Sequence, residues 1–499
     1  MENRPVSTKD RPLNVLWLMS DQHSIRALGC YGNGIVQTPR LDRLAAEGLT
    51  FEHAYCSYPV CVPARFTMLT GRYPHHHGAT GNTTPLPLRE RTVAHHFGQA
   101  GYATAFLGKM HPVDAQTHGF DYYMDMGHYY DYLGPKTRVF TEAMGADDSG
   151  SGSPWLTMYF DQDRSPWVDP NAPRQLLALN PPEVLDEPDH FESFIARETI
   201  RFMRTYRDEP LFMVASFLKP HNPFAPPTEY DTYRPEDMPD VPVLPGDLER
   251  IPSQARPKPY PGAGTPEGDA WQRRFMAKYY GNVTHLDACI GRVLDALDEL
   301  GLAENTLVLY TTDHGDMQNE HGLRGKFNFF EPSANIPLIA RLPGRIPAGQ
   351  RTAALVDQAD FAPTLLEMCG VSPANHSRPV DGASFLPVLQ DPAQPGKEFA
   401  FGEFGLNSGR PFYMRRSARW KYIYYTAPNP PRPGEEIADA DPTEELYEPA
   451  TDPGEMRNLA GDPAYVDILT EQRAKLLAYV EAQGAPLAPF ASTVPPGTD

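Results

Sequence analysis

Long apolar runs are missing from this 499-residue chain, and with them any segment fit to cross a bilayer as a helix. Cysteine is scarce too. Cys30, Cys56, Cys61, Cys289 and Cys369 form an odd and scattered set, which excludes a disulfide framework and sets the expectation of a reducing compartment. Positive charge is in deficit, since 44 Lys and Arg stand against 64 Asp and Glu for a formal net charge of -20. A field of that sign repels nucleic acid and anionic lipid, so neither nucleic acid nor membrane is an expected partner. Any anionic ligand must be drawn by a local basic cluster. The stretch MENRPVSTKDRPLNVLWLM has neither a sustained apolar core nor a small-residue cleavage site, and a cytoplasmic location is expected. There is no internal repeat.

What is present is the composition of an ordinary globular protein: 40% hydrophobic, 22% charged and 11% aromatic residues. The 54 prolines imply many fixed loops. A chain of this length buries a large core and divides. We expect a catalytic domain over residues 1–390 and a smaller one over 391–499, separated near the Pro-rich passage from Gln390 to Gly396.

Buried strands are expected at Leu13 to Met19, Leu49 to Tyr55, Tyr102 to Leu107, Leu211 to Phe217, Thr306 to Thr311 and Ile336 to Ala340. Most are continuous apolar runs, the mark of parallel strands covered on both faces. Amphipathic helices alternate with them near Leu41, Thr92 to Ala100, Phe191 to Tyr206, Asp269 to Leu300 and Phe361 to Cys369. The fold class is therefore α/β, a large and mostly parallel central sheet flanked by helices. Between Asp121 and Glu192 periodicity fades, as in an insertion. The segments Gly127 to Pro170 and Phe224 to Gly262 are the expected pocket walls.

Four of the strands end in polar clusters, where ligands gather in open α/β sheets. These are Ser20-Asp21-Gln22-His23, Gly108-Lys109-Met110-His111, Lys219-Pro220-His221-Asn222 and Asp313-His314-Gly315-Asp316. A further loop carries Gly325-Lys326-Phe327. The chemistry is expected in CVPARFTMLTGR, residues 61–72, where Pro63 marks a first helical turn and leaves Cys61 at the positive end of a helix. A cysteine phosphatase would need arginine where Thr67 stands, and Cys56 is too far from Cys61 for a metal knuckle. A buried structural cysteine is the bland alternative. The run His75-His76-His77 is read as solvated or packing, because adjacent residues do not converge on one ion.

Cys61, Pro63 and Arg65 followed by Leu69-Thr70-Gly71-Arg72 resemble the signature of the sulfatase family, with Ala64 where many members carry serine. Gln22 and His314 resemble more closely the branch of choline sulfatases and phosphonate monoester hydrolases. The resemblance implies an alkaline-phosphatase-like fold and oxidation of Cys61 to formylglycine by a formylglycine-generating enzyme during maturation. The hydrated aldehyde would be the nucleophile, its second hydroxyl driving release. It also implies one divalent metal ion, Ca2+ or Mn2+, held by Asp21, Gln22, Asp313, His314 and the modified Cys61. Arg65 would support the nucleophile, Lys109 and Lys326 would face the sulfuryl oxygens, His221 would protonate the leaving group and His111 would take the remaining proton.

After residue 391 the segments Trp420 to Tyr425 and Glu445 to Tyr447, then a helix from Val466 to Ala482, resemble the family's C-terminal α+β subdomain. The tail 484–499 is read as extended, either wrapping a neighbour in the expected homo-oligomer or remaining mobile. The substrate implied is a small-molecule sulfate ester. One alternative is a phosphonate monoester or phosphodiester hydrolase on the same site, and another is an unmodified, non-catalytic anion-binding protein.

Overall fold

The structure, a computed structural model, describes residues 11–110, 116–136, 185–222, 224–241, 243–244, 246–255, 265–374, 377–426 and 443–487. An eight-stranded sheet forms its centre. In chain order the strands are β1 Asn14–Asp21, β2 Leu49–Tyr55, β3 Ala103–Gly108, β4 Tyr122–Met124, β5 Leu211–Pro220, β6 Thr306–Thr312, β7 Leu338–Arg341 and β8 Gln350–Asp357. Their spatial order is β4-β3-β5-β1-β6-β7-β2-β8. Only β7 runs against its neighbours, β6 and β2. All other pairings are parallel.

The apolar run of β1 explains its central place, because all eight of its residues are buried. Side chains alternate across a strand. Val15, Trp17 and Met19 therefore join one core, where Trp17 stacks on Phe361 at 5.6 Å. Leu16 and Leu18 join the core on the other face. Around the sheet lie helices α1 Pro39–Ala46, α2 Cys61–Thr70, α3 Val93–Gln99, α4 Met126–Leu133, α5 Phe191–Tyr206, α6 Pro266–Glu299 and α7 Phe361–Cys369. The expected strands and helices are present with ends displaced by a few residues.

Two strands of this sheet were not legible in the sequence. β8 begins with the exposed residues Gln350 and Arg351 and lies at the sheet edge, so it lacks an apolar run. β4 has three residues and holds the opposite edge. Part of the expected 121–192 insertion and of the expected pocket walls lies outside the described residues, as does the tail from 488 onward.

A second sheet is wholly antiparallel: β9 Phe399–Phe404, β10 Phe412–Ser417, β11 Lys421–Tyr425 and β12 Glu444–Tyr447, in the order β12-β11-β10-β9. One face packs on helix α8 Val466–Gln483 through Leu446, Leu469, Leu476 and Val480. The other packs on the main body, where Met414, Ile423 and Tyr447 meet Tyr55, Phe329 and Phe330. At that seam Lys421 Nζ lies 2.7 Å from Glu331 and 2.6 Å from Glu455, and Tyr55 donates its hydroxyl to Glu331 at 3.0 Å. The loop that carries Lys326 is thereby pressed between the two sheets. Among the described residues, no helix is long and apolar enough to cross a membrane.

Candidate active site

Parallel pairing brings distant residues together. Strands β3, β5, β1 and β6 are consecutive in the sheet and end on the same side, with Asp21 level with Pro220, Ser20 with Thr312 and Gly108 with Ser216. Asp21, Lys109, His221 and Asp313 are therefore delivered to one spot. Helix α2 completes it. Val60 is extended before the helix (φ −150°, ψ 142°), Cys61 is its first residue, and the Val62 N–H donates to Asn82 Oδ1 at 3.2 Å. Negative charge at residue 61 is favoured there, because the free N–H groups and the helix dipole both point at it.

The Cys61 sulfur is fully buried and ringed by charge. Lys326 Nζ lies at 3.1 Å, His314 Nε2 at 3.3 Å, Lys109 Nζ at 3.6 Å and Asp21 Oδ1 at 3.9 Å. Nδ1 of His314 is 3.0 Å from the Gly315 carbonyl, which can only accept. In the neutral ring the proton is therefore on Nδ1, and Nε2 turns its lone pair to the sulfur.

Arg65 sits beneath, 1% exposed. Its Nη2 donates to Asp21 at 2.8 Å and its Nε to Asp313 at 2.9 Å, while Nη1 reaches the Lys109 carbonyl and, at 2.7 Å, Ser216 Oγ. One guanidinium thus fixes both carboxylates in place. Lys109 also bonds Asp21 directly. Burial and the neighbouring Cys61 would push the Asp21 carboxyl up, yet Lys109, His221 and Arg65 outweigh them and hold it far below the usual carboxylate range. Asp313 goes the other way, raised by burial and by Asp21 beside it.

Gln22 occupies the left-handed region at φ 60°, where β1 turns sharply away from the sheet. Its Nε2 donates to Asp316 Oδ2 at 2.6 Å, and its carbonyl accepts from Tyr279 at 2.6 Å. Burial pushes the Asp316 carboxyl up to about 6. His221 donates its backbone N–H to the Asp21 carbonyl at 3.1 Å and pairs Nδ1 with the Asn222 carbonyl at 2.9 Å, so Nε2 faces Asp21 Oδ1 at 3.9 Å. Its pKa departs from the near-neutral value expected of a leaving-group acid, because burial first and Lys109 second push it down to about 3. Lys326 is raised: burial opposes its charge, but Cys61, Asp21 and Asp313 prevail.

The structure thus brings together Cys61, Asp21, Gln22, Arg65, Lys109, His221, Asp313, His314 and Lys326. His111 lies outside the described residues. Several supporting residues were not singled out from sequence. Gln358 donates to the Asp313 carbonyl at 2.5 Å and accepts from the Ser57 N–H at 3.1 Å. Ser216, Asn82, Tyr279 and Asp316 act likewise on their neighbours. Only Asp316, the last member of the cluster that begins at Asp313, carried any local signal.

Ligand atoms of Asp21, Cys61, Asp313 and His314 all lie within 4.8 Å of one another. Two buried carboxylates side by side repel, and one imidazole lone pair converges on the same point. That donor set fits a divalent cation, with Gln22 Oε1 left available once Nε2 is committed to Asp316. A second cluster, Glu187, His285 and Cys289, does not fit so well. There Arg292 Nη2 already stands 2.9 Å from Glu187, Ser193 and Cys289, in the place a cation would take.

A buried cysteine at a helix start, facing a pair of carboxylates, an imidazole and two lysines at the carboxyl ends of parallel strands, defines an ester hydrolase of alkaline-phosphatase-like fold. The sulfatase family model matches residues 13–371, and the model of the N-sulphoglucosamine sulphohydrolase C-terminal region matches residues 319–482. The chain belongs to the sulfatase family. It is 28% identical to an arylsulfatase of Clostridium perfringens, over 94% of this chain and 95% of that protein. Against a choline-sulfatase of Rhizobium meliloti it is 29% identical, over 90% of this chain and 83% of the other. In structure it resembles the phosphonate monoester hydrolase of Silicibacter pomeroyi, with a TM-score of 0.74 and 24% identity over 94% of this chain and 96% of that one.

Proposed function

We propose that the protein hydrolyses sulfate esters with a nucleophile made by oxidation of Cys61 to formylglycine. The observation that supports this best is the placement of Cys61, buried at a helix N-terminus within 3.1–3.9 Å of Lys326, His314, Lys109 and Asp21. Its sulfur marks where an oxygen of the oxidised side chain would stand. The hydrated aldehyde supplies two hydroxyls on one carbon, one to attack and one to drive release. A divalent cation held by Asp21, Gln22, Asp313 and His314 would acidify the attacking hydroxyl and polarise the sulfuryl group. Both Ca2+ and Mn2+ suit these donors.

The remaining work falls to the chain itself. Lys109 and Lys326 flank residue 61 and are aimed at the non-bridging oxygens, where charge builds in the transition state. Arg65 keeps the two carboxylates at fixed separation. His221 would protonate the departing alcohol, and a bound sulfuryl anion would offset the Lys109 charge that, after burial, depresses its pKa. His111 takes the remaining hydroxyl proton.

A second reading, hydrolysis of phosphonate monoesters or phosphodiesters, is favoured by Gln22 and His314. Steady-state kinetics of the aldehyde-bearing protein with an aryl sulfate, an aryl phosphonate monoester and a phosphodiester separates the two. The largest kcat/KM is expected for the sulfate, and a reversed order makes the second reading the right one. Turnover of none of the three leaves a non-catalytic anion binder.

A further inference from the structure

One cation beside the site has no task in the reaction just described. Arg324 lies two residues before Lys326 in the same loop. Its Cζ stands 5.6 Å over the ring of Trp271, which stacks on Phe275 with centroids 5.6 Å apart and planes at 11°. Phe275 in turn meets Phe224 at 4.7 Å and Tyr279 at 5.9 Å, and the Tyr279 hydroxyl bonds the Gln22 carbonyl. An aromatic ladder along α6 thus runs from the metal-side residue Gln22 up to Arg324, with Phe224 reaching it from the loop that follows His221.

The guanidinium is held but not answered. Its Nε is buried with no hydrogen-bond partner, and among the described residues Arg324 makes no ion pair. Asp316 is the carboxylate that acts on it, but Gln22 takes Oδ2 at 2.6 Å and the Gln318 N–H takes Oδ1 at 2.7 Å. Lys326, two residues further along the chain, has the same sign as Arg324. A buried donor left unmade is costly. A guanidinium standing over an indole, with no carboxylate paired to it among the described residues, leaves its fork for a planar, two-oxygen acceptor.

We infer that Arg324, seated on Trp271, is a subsite for a carboxylate carried by the alcohol half of the substrate. This rests on the sulfate-ester reading and adds the class of alcohol to it. The test compares 4-nitrophenyl sulfate with the same ester bearing a ring carboxylate, each position of the carboxylate being tried. The quantity read is the ratio of the two kcat/KM values within each protein. The parent is expected to favour the carboxylated ester, with the ratio falling about tenfold in Arg324→Gln through KM. Arg324→Lys should fall between them, since it keeps the charge and loses the fork. Trp271→Leu, which removes the seat and leaves the arginine, should also lower the ratio. Turnover of both esters with the same ratio in parent and Arg324→Gln overturns the subsite alone. Turnover of neither ester by aldehyde-bearing protein overturns the subsite and the sulfatase reading together.

Discussion

Replacing Glu445 by glutamine should make the protein less sensitive to alkali, by an amount that follows from where this carboxyl lies. Glu445 stands on β12 opposite Ile423 of β11 and is 1% exposed. On a strand its neighbours alternate, so Leu446 faces α8 while Glu445 and Tyr447 face the seam with the main body. Burial, and then the charge of Glu455, push the Glu445 carboxyl from 4.5 up to about 8, with Lys421 pulling only weakly the other way. A carboxyl whose folded-state pKa is raised stabilises the fold fully below its unfolded value. That contribution is lost as pH climbs toward the folded value. Each pH unit inside this window removes about 1.4 kcal/mol. Between about pH 5.5 and 7.5 the parent should therefore lose roughly 3 kcal/mol relative to Glu445→Gln. Urea denaturation of both proteins at these two pH values, read from transitions of unchanged slope, gives that double difference directly. A change below about 1 kcal/mol would mean that Glu445 is solvated or paired in the folded protein, and the reasoning about the seam would be wrong.

Other outcomes follow from the same contacts. Lys421→Met leaves Glu331 and Glu455 facing each other in a dry seam and should cost about 3–5 kcal/mol in the same denaturation experiment at neutral pH. Lys326→Ala should lower kcat/KM for an aryl sulfate roughly a hundred- to a thousandfold, and a loss below about tenfold would remove Lys326 from the sulfuryl oxygens. A divalent ion at about a hundred times its Kd should stabilise the parent by about 2.7 kcal/mol, seen as a raised unfolding midpoint that chelation reverses. Asp313→Ala should abolish that gain, and an undiminished gain would place the ion elsewhere.

Much of the fold could be read in advance because the central strands are extreme. β1, β5 and β6 are buried along their whole length, and such strands must be apolar throughout. Edge strands escape this constraint. β8 opens with exposed polar residues and β4 spans three residues, so neither leaves a periodic trace. The same logic applies to the site. Asp21, Lys109, His221 and Asp313 follow apolar runs directly, and a polar cluster after a buried strand is conspicuous. Gln358, Ser216 and Tyr279 act from positions where their residue type is ordinary, and only the three-dimensional arrangement shows what they hold. The low pKa of His221 was equally out of reach, since it depends on burial first and then on Lys109, which stands more than a hundred positions away in the chain.

The central claim is that residue 61 is the nucleophile only after oxidation. It is tested most directly by measuring turnover of 4-nitrophenyl sulfate against the fraction of chains whose residue-61 peptide, by mass, has lost its thiol and gained an aldehyde. A rate rising in proportion to that fraction, and vanishing in Cys61→Ala, is the expected result. A rate independent of the fraction, or an equal rate in Cys61→Ala, contradicts it.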